Sequence, residues 1–418
     1  MSLQGPIIVV AERPAGDLVA ALSAAGAFPI IETNWTDAPA SFVSIKPCAV
    51  IIAEPGPPPS ETSARMLCLQ IATTTGPTTP VIALTSSHGG AAIPIAVAVD
   101  QAQPIERLIA RLRGALRVRA LHASVLRRIE ASGSGRGALP ALPVGDPLDD
   151  ATVMIVGRGP LYPALSVAMG ERVGLIGALT VETAIRHLEA REINGIVVGD
   201  GFTPRIIEGM LTALLEQTRF RTIPVAVIGE LPADLAGSLP QVDRVEPDVT
   251  RIVARMLPAI RLHALEARLK RMADALDSEG MFDAETGLLS LNAFWDELTK
   301  STEESFDRGN AFSIGRFTFA GRLPLRAAND AARLVTRLTR ESDFASRDDE
   351  GAILIGFGNT DLRDAHPIAR RIASMLKNSM RATDGAVEAN VTLATLKPDD
   401  TLDSLLTRVY GGEVVAAE

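Results

Sequence analysis

Short apolar runs punctuate the N-terminal part of the chain at near-regular intervals. Pro6–Val10 (PIIVV), Phe28–Glu32 (FPIIE), Cys48–Ala53 (CAVIIA), Thr79–Thr85 (TPVIALT) and Ala92–Val99 (AIPIAVAV) are each bounded by Gly, Pro or polar residues. Such runs read as buried strands. Amphipathic stretches such as GDLVAALSAAG lie between them, and a long helical pattern, Ile105–Glu130, closes the segment. Strands alternating with helices predict a parallel sheet covered on both faces.

A stretch rich in Gly, Ser, Pro and Asp, ASGSGRGALPALPVGDPLDD, has linker composition. The first pattern then repeats. ATVMIVG, RVGLIGA, INGIVVGD, IPVAVIG and VDRVEP follow in the same order, and Val249–Asp277 again closes the unit as a long helix. An internal duplication with a period of about 130 residues follows, too long for a solenoid. A third segment opens near Gly280. It alternates MFDAETGLLSLNAFWDEL, a strand AFSIGRFTFA, a helix LRAANDAARLVTRLTR, a strand GAILIGF, a helix PIARRIASMLKN and a strand VEANVTLATL. The division is thus 1–131 and 151–279 for the repeats, 132–150 for the linker and 280–418 for an α/β domain on a mixed sheet.

Length and composition narrow the function classes. The 418 residues allow about three domains. A net charge of −9 argues against nucleic-acid binding through bulk positive charge. The longest apolar runs, such as IAVAV, fall short of the ~18–20 residues of a membrane span, and no basic stretch precedes the first of them as in a signal peptide. A soluble, cytoplasmic protein without membrane insertion is expected. Cys48 and Cys68 lack companions at metal-ligand spacing, and the five histidines form no ligand pair; no metal or cofactor is expected. The basic run RLRGALRVRALHASVLRR reads as the solvated face of its helix.

Both repeats resemble response-regulator receiver domains, which have the flavodoxin-like fold with a five-stranded parallel sheet. In that family an acidic pair after the first strand holds Mg²⁺, an Asp after the third accepts phosphate, a Thr or Ser follows the fourth, and a Lys precedes a Pro after the fifth. Repeat one offers Ala11-Glu12, Ala53 beside Glu54, Thr85, and Gln103 before Pro104. Repeat two offers Gly157-Arg158, Gly199, Gly229, and Glu246 before Pro247, with Asp200 one residue past the acceptor position. The resemblance therefore implies degenerate receivers kept for homodimerisation and docking.

The third segment resembles a GGDEF domain, the diguanylate cyclase fold. Asp283, Thr286, Gly287 and Leu288 match the family's opening motif, while Ser290 and Leu291 replace its Asn-Arg. Arg316 and Thr318 stand where the family's first strand supplies a metal-binding Asp-x-Asp, and Asp349 to Ile353 stand for the Gly-Gly-Asp/Glu-Glu-Phe hairpin. A cation at a Mg²⁺ position repels the ion, so no catalytic residue is assigned and no enzymatic activity is expected.

Arg340 and Asp343 keep the spacing of the Arg-x-x-Asp pair with which this family binds its product, cyclic di-GMP. Arg371, beside Arg370, falls at the third position of that site, and Arg347 also persists just before the hairpin. Guanidinium groups suit guanine O6/N7 edges and phosphates, and a carboxylate suits the guanine N1 and N2 donors. Arg-x-x-Asp also occurs at Arg271…Asp274 and Arg381…Asp384, and on an exposed helix it is ordinarily a weak ion pair.

The whole arrangement resembles the tandem-receiver GGDEF proteins of the PleD and PopA type. It implies a cyclic di-GMP effector or adaptor that acts with other signalling proteins in the bacterial cell cycle, at a cell pole and toward the ClpXP protease. The alternative is a ligand-independent dimeric scaffold.

Overall fold

The structure is a computed structural model. It describes residues 3–411 apart from 54–60, 87–92, 133–144, 230–238, 279, 322, 380, 383–384 and 387–388. Glu54 and His88 therefore lie outside the described residues. The chain divides into two compact units. The first holds both repeats, Met1–Ala131, Gly145–Leu188 and Ile193–Leu269; the second holds Lys270–Glu418 together with Glu189–Glu192.

In the first unit, β1 (Gln4–Val10), β2 (Phe28–Thr33), β3 (Ala49–Ile52), β4 (Val81–Thr85) and β5 (Val97–Asp100) form a parallel sheet in the order β2-β1-β3-β4-β5. The second sheet, β6 (Thr152–Val156), β7 (Gly174–Ala178), β8 (Gly195–Val198), β9 (Val225–Ile228) and β10 (Val242–Val245), has the order β10-β9-β8-β6-β7. Counted from the first strand of each repeat the two orders are the same, and both are flavodoxin-like. Every residue of β3, β8 and β9 is buried, as a strand covered by helices on both faces requires. Each sheet accordingly has two cores, one per face.

The closing helices α4 (Ile105–Ser132) and α8 (Val249–Asp277) belong to these cores through Leu108 and Leu112, and through Ile252, Met256 and Ile260. The basic run of α4 is exposed at Arg113, Arg117, Arg127 and Arg128, as read from sequence, but not at Arg111 and Arg119. Arg107 and Arg111 cross to the edge strand β10 of the other repeat, where Asp243 accepts from both at 2.9 and 2.8 Å. Arg255, from α8, reaches the same carboxylate at 3.2 Å. Arg111 also donates to Pro240 O at 2.6 Å, and Arg107 to Val242 O. Arg119 donates to the carbonyls of Pro77 and Thr78.

In the second unit, β11 (Phe312–Phe319), β12 (Asp343–Arg347), β13 (Ile353–Gly358) and β16 (Ala389–Thr395) form a sheet in the order β12-β13-β11-β16. Its three pairings are antiparallel, and the mixed character comes down to one parallel bridge, Leu289↔Ser346. The helices α10 (Leu325–Leu338) and α11 (Leu362–Ser379) cover one face, around Phe317, Ile355 and Phe357. The helices α9 (Leu291–Arg308) and α12 (Leu402–Gly411) cover the other, around Phe312, Ile314 and Leu354. The two-residue period of a strand puts Arg316 on the α12 side with Phe312 and Ile314. It puts Asp343 on the α10/α11 side, with Ala345.

Candidate functional site

The hairpin between β12 and β13 turns on the carboxylate of Asp348. One oxygen accepts from the backbone N–H groups of Glu350 (3.0 Å) and Ala352 (2.8 Å). Gly351 completes the turn at φ +87°, a conformation that costs a side-chain-bearing residue free energy. The other oxygen faces Arg316, whose guanidinium lies 3.4 Å from it and 2.5 Å from Glu350. Tyr410 of α12 lies face-on to the same guanidinium, 4.5 Å from ring centroid to Cζ. Burial, reinforced by the carboxylate of Asp348, raises the phenol of Tyr410 above its ordinary range, although Arg316 acts against the shift. The cation at this position is thus a side chain, gripped by carboxylates and an aromatic face.

The opening motif has a structural account. Asp283 accepts from Thr286 N and Thr286 Oγ1, at 2.8 and 2.5 Å, and its own N–H donates to Leu288 O at 2.7 Å. Gly287 holds φ +76° within this turn. Leu289 N then donates to Ala345 O, and Ser346 Oγ to Leu289 O, tying the turn to β12. Ser290 caps α9 by accepting from Ala293 N. These residues support the sheet edge from which the hairpin springs.

Arg340 lies not on a helix but on the turn that follows α10, and Asp343 opens β12. The Asp343 carboxylate accepts from the backbone N–H of Arg340 at 3.1 Å and from Ser342 Oγ at 3.3 Å; Asp343 N returns a bond to Arg340 O. Among the described residues no ion pair joins their side chains, so the surface pair expected of a chance Arg-x-x-Asp does not form. The Arg340 guanidinium is left exposed, with Asp343 half-buried beside it. Arg371 and Arg370 are exposed on α11, a helix on the sheet face to which Asp343 belongs. A close approach holds the turn in place. A Cβ at Gly358 would come within 2.4 Å of the Ser342 carbonyl oxygen.

The receiver positions are engaged in structural contacts. Glu12 accepts from Trp35 N at 3.2 Å. The hydroxyl of Thr85, fully buried, donates to Val99 O at 3.3 Å. Glu246 pairs with Arg251 at 2.7 Å. Ala53 is half-buried and Gly199 buried, while Asp200 lies against Gly159, where a Cβ would come within 1.4 Å of the carboxylate. Burial pushes the thiols of Cys48 and Cys68 up. No group of three or more His, Cys, Asp or Glu among the described residues is placed to hold a metal ion. None of the described helices is long and apolar enough to cross a membrane.

Several groups had no sequence signal. Asn329 is buried on α10, donating to Glu285 and accepting from Arg347 Nη1 at 2.9 Å, so that Arg347 braces α10 rather than opening to the hairpin. Arg271 turns away from Asp274, its partner by spacing, and pairs with Glu192 at 2.6 Å. Contacts between residues this distant in sequence leave no local pattern to read.

No family model matches the chain, and no curated protein does. Solved structures similar to it include the coiled coil and GGDEF domain of DgcB from Caulobacter crescentus in complex with c-di-GMP. That likeness has 17% identity, covers 34% of this chain and 83% of that one, and has a TM-score of 0.30. The FimX GGDEF domain from Pseudomonas aeruginosa has 13% identity over 31% of this chain and 89% of its own, with a TM-score of 0.29. Diguanylate cyclase SiaD from P. aeruginosa, in complex with its activator SiaC, has 16% identity over 60% and 85%, also at 0.29.

Proposed function

We propose that the second unit is a GGDEF domain that binds cyclic di-GMP without making it, and that the chain serves as an effector or adaptor in bacterial signalling. The observation that carries this is the Arg340–Asp343 turn. The carboxylate is fixed by backbone and hydroxyl donors, while the guanidinium stays exposed, in place of the mutual pairing that a structural role would favour. Arg371 on α11 supplies a second exposed guanidinium for the ligand's other guanine or phosphate. Synthesis of the dinucleotide is a different matter. It needs divalent cations on the reacting phosphates, and the Arg316 guanidinium already occupies the carboxylates of the hairpin.

The repeats act in this proposal as a rigid carrier and as the surface for self-association and for partner proteins. The face around Asp243 is already taken by the neighbouring repeat, so a second copy would use another. Recruitment to a cell pole or to the ClpXP protease rests on the family resemblance alone.

Calorimetric titration of cyclic di-GMP into the full chain tests the binding half. Loss of one charge-assisted contact is worth about 1.5–3 kcal/mol, or roughly 10–100-fold in Kd. Arg340→Ala and Asp343→Ala should each weaken binding by that much. A chain that takes up no dinucleotide, or binds it equally well in both variants, refutes the assignment. Turnover of GTP to cyclic di-GMP with Mg²⁺ or Mn²⁺ would refute the catalytic half.

A further inference from the structure

Two helices on opposite faces of the second unit's sheet carry opposite charge. On α9, Asp296, Glu303 and Asp307 follow one another at seven and four residues, a spacing that keeps them in one line along a helix. All three are exposed, and the line lies opposite the buried stripe of Phe294, Leu298, Thr302 and Ser305. The other two carboxylates of the helix are taken within it, Glu297 by Lys300 at 4.0 Å and Glu304 by Arg308 at 3.3 Å. Asp296, Glu303 and Asp307 have no ion-pair partner among the described residues.

The counterpart is α11. Arg363, Arg370 and Lys377 recur every seven residues, opposite buried Ala365, Ala369, Ile372 and Leu376. Arg363 and Arg370 are exposed and Lys377 is half-buried, with Arg371 exposed at the side of the line. None of these four has an ion-pair partner among the described residues. Five carboxylates against Lys300 and Arg308 leave α9 at −3, and four cations against Asp364 leave α11 at +3. The match extends to dimension. Asp296–Glu303 and Arg363–Arg370 are each seven residues apart, about 10.5 Å of helix rise, so two carboxylates of one helix meet two guanidinium groups of the other when the helices lie side by side. Each line also has an exposed apolar neighbour, Phe306 on α9 and Leu362 on α11. The two helices cover opposite faces of one sheet, so their charged lines cannot meet within a unit.

We infer that the second unit associates with a second copy of itself, laying the acidic line of α9 against the basic line of α11. Equal and opposite charge at equal spacing favours a second copy over an unrelated partner. The contact joins two unlike faces. Each pairing therefore leaves an α9 unused at one end and an α11 at the other, and association can continue beyond a dimer. Exposed ion pairs are individually weak and screened by salt, so the assembly is reversible and salt-sensitive.

Sedimentation equilibrium of the full chain tests this at about 0.1 M and about 1 M salt, between which the screening length falls from ~10 to ~3 Å. The weight-average mass should rise with protein concentration at the lower salt and much less at the higher. Arg363→Glu with Arg370→Glu, and separately Glu303→Lys with Asp307→Lys, should each weaken association at least about tenfold, because like charges then face each other. All four residues are exposed, so the substitutions leave the core untouched. An equimolar mixture of the two double variants should associate again, since each presents the other with the opposite charge. A mass that does not rise with concentration at the lower salt overturns the inference. So does growth that is equal at the two salts, growth unchanged in either double variant, or a mixture that stays dissociated.

Discussion

Replacing Asp243 by Ala removes the one carboxylate on which Arg107, Arg111 and Arg255 converge. Arg107 and Arg111 have 5% and 10% of their side chains exposed, so they cannot turn to water without parting the repeats. Burial, with Arg111 beside it, already lowers the Arg107 guanidinium to about 10, and Asp243 acts against that shift. Breaking a buried pair by deleting one partner costs about 3–5 kcal/mol. For a unit of this size each kcal/mol moves Tm by roughly 2–4 °C, so the first unit of Asp243→Ala should melt roughly 6–20 °C lower. The surface pair Glu246–Arg251, with both side chains nearly half exposed, makes a fair control, because such pairs are worth about 1 kcal/mol or less. The pH dependence has a definite sign. Burial pushes Asp243 up, but Arg111, Arg255 and Arg107 prevail and hold it at about 2, against an ordinary 3.8. Its contribution is therefore complete above about pH 4 and is lost as pH falls through 2; at about 1.4 kcal/mol per unit this amounts to about 2 kcal/mol. The Ala variant should lack that part of the acid limb. Scanning calorimetry from pH 7 down to 2 reads both effects. A Tm change no larger than that of Glu246→Gln would mean that the carboxylate adds nothing to the arginine–carbonyl hydrogen bonds that also join the repeats.

Three other substitutions probe the second unit. Asp283→Ala strips Thr286 of its acceptor and should cost about 1–2 kcal/mol in urea unfolding; no loss would deny the motif its structural role. Arg316→Ala should cost about 1–3 kcal/mol and move the Tyr410 phenol higher still, since Arg316 now draws it down. Ultraviolet titration can follow this in a chain with two tyrosines, and an unchanged or lower value would contradict the geometry. Gly358→Ala should displace the Ser342–Asp343 turn through its 2.4 Å clash and weaken cyclic di-GMP binding without altering any charge. Wild-type affinity in that variant would show that the turn tolerates movement.

The legible parts of the sequence were those with local period. Runs such as AVII and GIVV became strands buried on both faces, and Val249–Asp277 stayed helical through Pro258. AIPIAVAV overreached. Among the described residues of that region, only Val97–Asp100 form a strand. Charge was harder to read than hydrophobicity, because an arginine's partner is set by tertiary contact. Arg111 belongs to the run read as solvated, yet only 10% of its side chain is exposed at the junction of the repeats. Arg271 and Arg340 both begin an Arg-x-x-Asp, yet one turns to Glu192 and the other leaves its guanidinium exposed. Spacing located the turn at Arg340 but carried no trace of the Arg271–Glu192 pair.

Arg316 gives the hairpin a cation that cannot dissociate. A bound ion couples a site to the supply of that ion, to chelators and to competing metals, and its occupancy falls when the cell runs short. A guanidinium on the chain has unit occupancy at every magnesium concentration. The hairpin should therefore hold one geometry through metal starvation and excess alike, so that the dinucleotide binding proposed for Arg340 and Asp343 should not vary with magnesium.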